Sequence, residues 1–402
     1  MAGWSDGPGL SRRGVLGAGT GALAALAGCS GVPVLGGNCR LADASGAWPQ
    51  PGRDAGHTAY VSDDAGPAGP NVAWETTVAD ASAPRTTGIA VADDVLYAVG
   101  VEEAPRGDQE MGLDGFYRVF DAADGARRDD RVGMDAAVVG GPVVARERDL
   151  TLFVGRDSEG THIMEEGHGA ESGVLGRNVG GRTVAAPVLA PDGDRVYAAA
   201  PGGAVGFALS GEYLFSRGLP GRPRTPPAVD GNAVYIATRG RGLFALDPTT
   251  GETKWRDGRF AAGPPVVRDG TVYVRDGSRL RAFETDGNER WTATVDGDLT
   301  GPPAVTDGVL VHTDRTTAYA RRPDGSQVWQ APVENRPCRQ PLATGGRLYV
   351  PGAAGVTALD PASGERLWRY AGGVVAPPAL AGGALFCPGA RGSLVALGAC
   401  RG

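Results

Sequence analysis

Short apolar runs of four or five residues recur from about residue 88 to residue 397, separated by turns rich in Gly, Asp and Pro. The plan is clearest in "TPPAVDGNAVYIATRGRGLFALDPTTGETKW", Thr225 to Trp255. An apolar strand follows the Pro pair, and an Asp-Gly turn leads to Val234–Ala237. A Gly-rich turn leads on to Leu243–Leu246, and a Pro-x-x-Gly turn precedes a fourth strand that carries Trp255. Short runs of β-branched and aromatic residues bounded by such turns predict strands, and no helical period competes with them. The same plan restarts at Gly263, Gly301, Arg339 and Ala376. The second Pro of each unit falls at Pro227, Pro265, Pro303, Pro341 and Pro378, in steps of 38, 38, 38 and 37 residues. Fainter copies begin at Gly88, Gly141 and Ala186, which makes eight units.

Four strands in a unit of about 40 residues predict a propeller blade. The fold class is therefore all-β: an eight-bladed β-propeller of four-stranded blades. The last unit stops after its third strand, at Leu397. The strand near 72–78, which carries Trp74, is expected to complete the last blade. Sharing a blade between the two ends closes the ring and hides edges that would otherwise pair with other chains.

Within "ALDPTTGETKW", each residue type has a local reason. Ala245 is small where a neighbouring strand comes close. Asp247 accepts turn amides, Pro248 fixes φ, and Gly251 takes the positive φ of a tight turn. Trp255 then stands on the outer strand, and Trp291, Trp329 and Trp368 recur at its position. A second full copy has Ala358, Asp360, Ser363, Gly364 and Trp368. Once per blade, these tryptophans are expected to pack between blades rather than form a binding cage.

The pattern Ala-x-Asp-x-x-Thr-Gly-x-x-x-Trp resembles the repeats of the quinoprotein-like (PQQ-type) eight-bladed propeller family. That family includes quinoprotein alcohol dehydrogenases and the non-enzymatic lipoprotein of the bacterial outer-membrane β-barrel assembly machine. The resemblance covers about residues 48–400. It implies a docking role for the motif, with the Trp seated between adjacent blades. The units ending in Trp291 and Trp329 have a shorter turn, and the early units lack the Trp. The stretch "WPQPGRDAGHTAY", Trp48 to Tyr60, also resembles the start of many such lipoproteins.

Residues 1–28 read as an export signal. Ser11-Arg12-Arg13 precedes a mild apolar run, as in the twin-arginine route. The run ends in Leu26-Ala27-Gly28-Cys29, which resembles a lipobox and makes Cys29 the expected lipidation site. Residues 29–70 are read as anchor, linker and N-terminal segment, and residues 71–402 as the propeller. Four further cysteines in an exported chain allow three pairings. Blade topology favours Cys338–Cys387 and Cys39–Cys400, the second clasping the two ends of the ring. Four free thiols are the alternative.

The remaining chemistry is sparse. The net charge is −7 with no basic run, so nucleic acid is not an expected partner. Lys254 is the sole lysine among 39 cationic residues, which points to a GC-rich genome such as that of a salt-adapted archaeon. The His residues are His57, His162, His168 and His312. "HIMEEGH", His162 to His168, lacks metal-protease spacing and reads as an exposed strand end. There is no vicinal Cys pair of the kind the family's dehydrogenases use, and no calcium-loop spacing. No catalytic residue, cofactor or metal is therefore assigned. The expected function is a monomeric, lipid-anchored, extracytoplasmic propeller that binds or scaffolds an unidentified protein or peptide partner. The alternative is a quinone- or metal-dependent oxidoreductase.

Overall fold

The computed structural model describes residues 38–402 except 63–65, 79–83, 107–109, 135–136, 157–159, 168–171, 177–178, 180–184, 201 and 260. Ser11, Arg12, Arg13 and Cys29 lie outside the described residues. The described chain forms eight sheets, one per blade, whose blade strands are antiparallel and in blades 1 to 7 run in sequence order from the innermost strand outwards. The innermost strands of blades 1 to 8 are Arg85–Ala92, Ala137–Ala145, Val188–Leu189, Ala228–Val229, Ala262–Arg268, Ala304–Val305, Leu342–Thr344 and Ala379–Ala381.

Blade 4 shows why the sequence alternates as it does. Its second and third strands, Val234–Thr238 and Gly242–Leu246, are buried at every residue. Both faces of a blade are covered by the neighbouring blades, so these strands read as continuous apolar runs. The outer strand, Thr253–Asp257, is mostly exposed and only half covers Trp255.

Blade 8 takes its outer strand from upstream. Val72–Thr77 pairs antiparallel with Ser393–Leu397, and Trp74 lies opposite Ala396. The seam is reinforced by a disulfide between Cys39 and Cys400, whose Cα atoms are 5.8 Å apart across 361 residues of sequence. Backbone bonds flank it: Ala42 N–H donates to Ala399 O at 2.8 Å, and Arg401 N–H donates to Arg40 O at 2.7 Å.

The expected second bridge is not formed: Cys338 and Cys387 are free thiols. The segment 374–375 runs between them. Cys338 Sγ faces the Val374 carbonyl at 4.0 Å, and Val375 N–H donates to Pro388 O at 2.9 Å. Cys387 instead sits in the apolar core, where burial pushes its thiol up to about 12.

Candidate functional site

The docking motif holds neighbouring blades together by one repeated contact. Trp255 Nε1 donates to Thr285 O (2.7 Å), Trp291 Nε1 to Pro323 O (2.8 Å) and Trp329 Nε1 to Pro361 O (2.9 Å). Each acceptor lies in the next blade, in the turn before its outer strand. Trp74 makes the same contact to Ala122 O at 3.1 Å, joining blade 8 to blade 1. Each indole also lies on the turn glycine of that next blade. A Cβ at Gly125, Gly287, Gly325 or Gly364 would fall within 2.6–2.8 Å of the ring of Trp74, Trp255, Trp291 or Trp329. Between blades 3 and 4 the chemistry is divided: Phe215 covers Gly251, and Tyr197 Oη donates to Pro248 O at 2.8 Å.

Ala245 and Ala358 lie directly opposite Trp255 and Trp368 across the strand ladder. Asp247 Oδ1 accepts the N–H groups of Thr249 and Thr250, and Asp360 Oδ1 those of Ala362 and Ser363, all at 2.8–2.9 Å. These backbone donors hold both carboxyls below their usual range. The motif residues are thus spent on turns and packing.

Trp368 is the exception. Counting from the other blades, its acceptor should be Ala399 O, three residues beyond Ala396. That carbonyl instead accepts Ala42 N–H, and Trp368 Nε1 is buried with no partner among the described residues. The blade-to-blade tie is replaced by the N-terminal clasp where the ends of the chain meet.

The central channel holds a feature that the repeats do not announce. Residues 44–61 wind around its interior and bond to one inner strand after another. Ala47–Trp48 pairs with Val91–Ala92 of blade 1. Pro49 O then accepts Val144 N–H of blade 2, and the Gln50 side chain bonds both backbone groups of Leu189 in blade 3. The carbonyls of Ala55, Gly56, Thr58 and Ala59 accept N–H groups of Val229, Val267, Val305 and Ala343, in blades 4 to 7, each at 2.8 Å. Tyr60–Val61 finishes as a parallel strand beside Ala343–Thr344. The inner strands therefore satisfy edge amides with the chain's own N-terminal segment. Left-handed backbone at Arg53, His57 and Ala59 lets the segment turn this tightly.

This plug divides the channel into two mouths. The wider cavity, about 590 Å³, lies at the ends of the inner strands, floored by Pro49, Asp54, Ala55 and Gly56 and rimmed by Glu147, Pro191 and Asp269. Burial pushes the Asp54 carboxyl up, against the opposing hydrogen bonds from Thr58. The second cavity, about 260 Å³, lies at the starts of the inner strands, where the Pro pairs gather around Trp48 and His57. Burial lowers His57 to about 4, against a hydrogen bond to the Pro265 backbone.

His312 is also buried in the core of blade 6. It stacks on Tyr319 at 5.2 Å and accepts Arg321 Nε–H at 3.2 Å. His162, expected at an exposed strand end, is buried in the third strand of blade 2, and His168 lies outside the described residues. Among the described residues, no group of three His, Cys, Asp or Glu side chains is placed to hold a metal ion. The plug is hidden from sequence reasoning because its contacts are made mostly by backbone carbonyls. The sole signal is a Gly- and Pro-rich stretch, Trp48 to Tyr60, lying outside the repeat.

Residues 164–261, 257–330 and 313–402 match the PQQ_2 family, described as outer membrane protein assembly factor BamB. Among solved structures, the chain is similar to BamB from Moraxella catarrhalis, with a TM-score of 0.57 and 17% identity, covering 81% of this chain and 98% of that one. A computationally designed protein, Ika8, gives a TM-score of 0.62 at 12% identity, with the same coverage. At these identities the likeness concerns the fold. A curated relative, the serine/threonine-protein kinase AfsK of Streptomyces griseus, is 29% identical over 188 residues. That match covers 43% of this chain and 19% of the kinase, so the chain spans about a fifth of its relative.

Proposed function

We propose a function from one premise: the chain belongs to the family described as outer membrane protein assembly factor BamB. It acts as a non-catalytic propeller scaffold that holds a protein or peptide partner outside the cytoplasm. Residues 1–28 direct export by the twin-arginine route, and Cys29 carries the lipid that tethers the protein to the membrane. A single acyl chain binds membranes only marginally, so the two chains of a diacylglyceryl group suit a stable anchor. The Cys39–Cys400 bond suits an oxidising compartment.

The observation that carries this reading is the wide mouth of the channel. The plug lines the channel against blades 1 to 7, and at one mouth it floors a cavity of about 590 Å³ in which Pro49, Ala55 and Gly56 flank Asp54 beneath a charged rim. Apolar concavities with a few polar groups are the usual form of a binding site. Glu147 and Pro191 are exposed on the rim and free to vary without disturbing the core.

The test is crosslinking capture from native membranes, comparing the wild type with a Glu147→Arg, Pro191→Arg double variant. One partner recovered by the wild type and lost by the folded variant supports the assignment. A partner retained by the variant removes the wide mouth from consideration, and no partner in either sample overturns the scaffolding role. Cys29→Ser should release the protein into the medium, and retention in the membrane fraction would contradict lipid anchoring.

A further inference from the structure

The narrow mouth is built differently from the wide one. Its wall comes from the Pro-rich starts of the inner strands, including Pro226, Pro264, Pro302 and Pro378. Proline has no N–H, so this wall offers almost no backbone donors. Four polar side-chain atoms nevertheless belong to residues lining the chamber and are buried with no partner among the described residues: Arg275 Nε, Arg339 Nε, Thr225 Oγ1 and His57 Nε2. A buried donor or acceptor left unmade is destabilising, and more so when the group is charged. Four in one chamber of about 260 Å³ ask for a common explanation.

The two guanidinium groups are fixed in place. Arg275 Nη1 donates to Leu299 O at 2.7 Å. Arg339 Nη1 donates to Cys338 O at 2.9 Å, and its other terminal nitrogen to Val375 O. These acceptors are neutral carbonyls. No Asp or Glu lines the chamber; Asp298, outside it, acts on Arg275 through space. Gly263 packs against one of these donors, since a Cβ there would stand 2.5 Å from Arg275 Nε. His57 is 2% exposed and bonds the Pro265 carbonyl through its other ring nitrogen, so Nε2 of the neutral ring is an acceptor. The chamber thus combines two cationic donors, a hydroxyl, one acceptor and apolar walls.

We propose that this chamber binds a small apolar monocarboxylate, its carboxylate between Arg275 and Arg339 and an adjacent N–H or O–H donated to His57. Two sources share that chemistry: a free N-acyl amino acid or 2-hydroxy acid, and the C-terminal residue of a peptide. The site is at the opposite mouth from the partner surface proposed above and does not depend on it.

Calorimetric titration with N-acetylphenylalanine, with its carboxamide, and with an acetyl-Gly-Gly-Phe peptide tests the assignment on the unaltered protein. The acid should bind one-to-one, and the carboxamide at least about tenfold more weakly, the worth of one charge-assisted hydrogen bond. Equal binding of acid and carboxamide, or no saturation of any probe below about 10 mM, overturns the proposal. Binding of the free acid but not the peptide supports a small-molecule source, and comparable binding of the peptide supports a chain terminus. Arg275→Gln and Arg339→Gln should each weaken the acid at least about tenfold without shifting the near-ultraviolet dichroism. Unchanged affinity in both folded variants also refutes the site.

Discussion

Gly364→Ala tests the blade-to-blade tie directly. Gly364 has a φ of +75°, and its missing Cβ would stand 2.7 Å from Cε3 and 2.8 Å from Cδ2 of Trp329. Two costs follow. Left-handed backbone at a residue with a Cβ costs roughly 1–2 kcal/mol. Driving the indole off its seat is an overpacking event of about 1–3 kcal/mol, and it also strains the Trp329 Nε1–Pro361 O bond. The expected total is about 2–5 kcal/mol. Gly231→Ala isolates the first cost, because Gly231 has a φ of +88° and no atom lies within 4 Å of where its Cβ would stand. Gly308→Ala, with open space and no positive φ, should be near neutral. Urea unfolding of the three variants is the assay. If Gly364→Ala and Gly231→Ala differ by less than about 0.5 kcal/mol, the indole is not seated on the glycine as described. A Trp329→Ala background supplies the cross-check, since removing the ring should abolish the excess cost of Gly364→Ala.

Three further outcomes follow from the same structure. Cys400→Ser should lower stability by about 2–5 kcal/mol in non-reducing urea melts, since the bond closes nearly the whole chain; a wild type unaffected by reductant would contradict this. His57 and His312, held near 4 and 3 by burial, stay neutral in the folded state while their unfolded forms protonate below about 6.5. Unfolded protein therefore binds more protons in that window, and stability falls as pH drops from about 6.5 towards 4, by roughly 3 kcal/mol for His57. His57→Gln should reduce proton uptake on unfolding at pH 5 by about one, and an unchanged pH slope would count against its neutral burial. Trp74→Ala, at a residue 1% exposed, should cost about 3–5 kcal/mol, with a smaller loss for the half-buried Trp291→Ala, and equal losses would argue against burial as the cause.

The eight blades were legible because their chemistry is local and repeated. Asp247 and Gly251 make one turn, Trp255 marks one strand, and the same spacing returns at Asp360, Gly364 and Trp368. Even the borrowed strand was visible, since Trp74 stands opposite Ala396 as Trp255 stands opposite Ala245. The early blades carried less signal because other side chains divide the work of the Trp, as Phe215 and Tyr197 do at Gly251 and Pro248. The Cys338–Cys387 pairing failed for a finer reason: both residues were placed on the right blades, but topology does not show that the 374–375 segment runs between them. The plug and the narrow chamber were illegible because single, unrepeated contacts build them. No pattern of spacing brings His57, Thr225, Arg275 and Arg339 together; only the closed ring does.

The seam explains why these one-off features gather in the N-terminal segment. The run of Trp ties from blade 4 to blade 7 stops at the blade that takes its outer strand from upstream. Here the break falls between blades 7 and 8, and Trp368 is left without the turn carbonyl that each comparable Trp has. The N-terminal segment compensates in three places. Ala42 takes the Ala399 carbonyl, Cys39 binds Cys400, and Val72–Thr77 supplies the outer strand of blade 8. Between these points the chain must run from the seam through the ring, and residues 44–61 do so by lining the channel rather than crossing its outside. The route that closes the propeller also lines its channel, and it sets Trp48 and His57 against the Pro-rich mouth. Closure and site formation are therefore one event: without residues 38–77 the inner strands of blades 2 to 7 lose their amide partners, and the narrow chamber loses its acceptor.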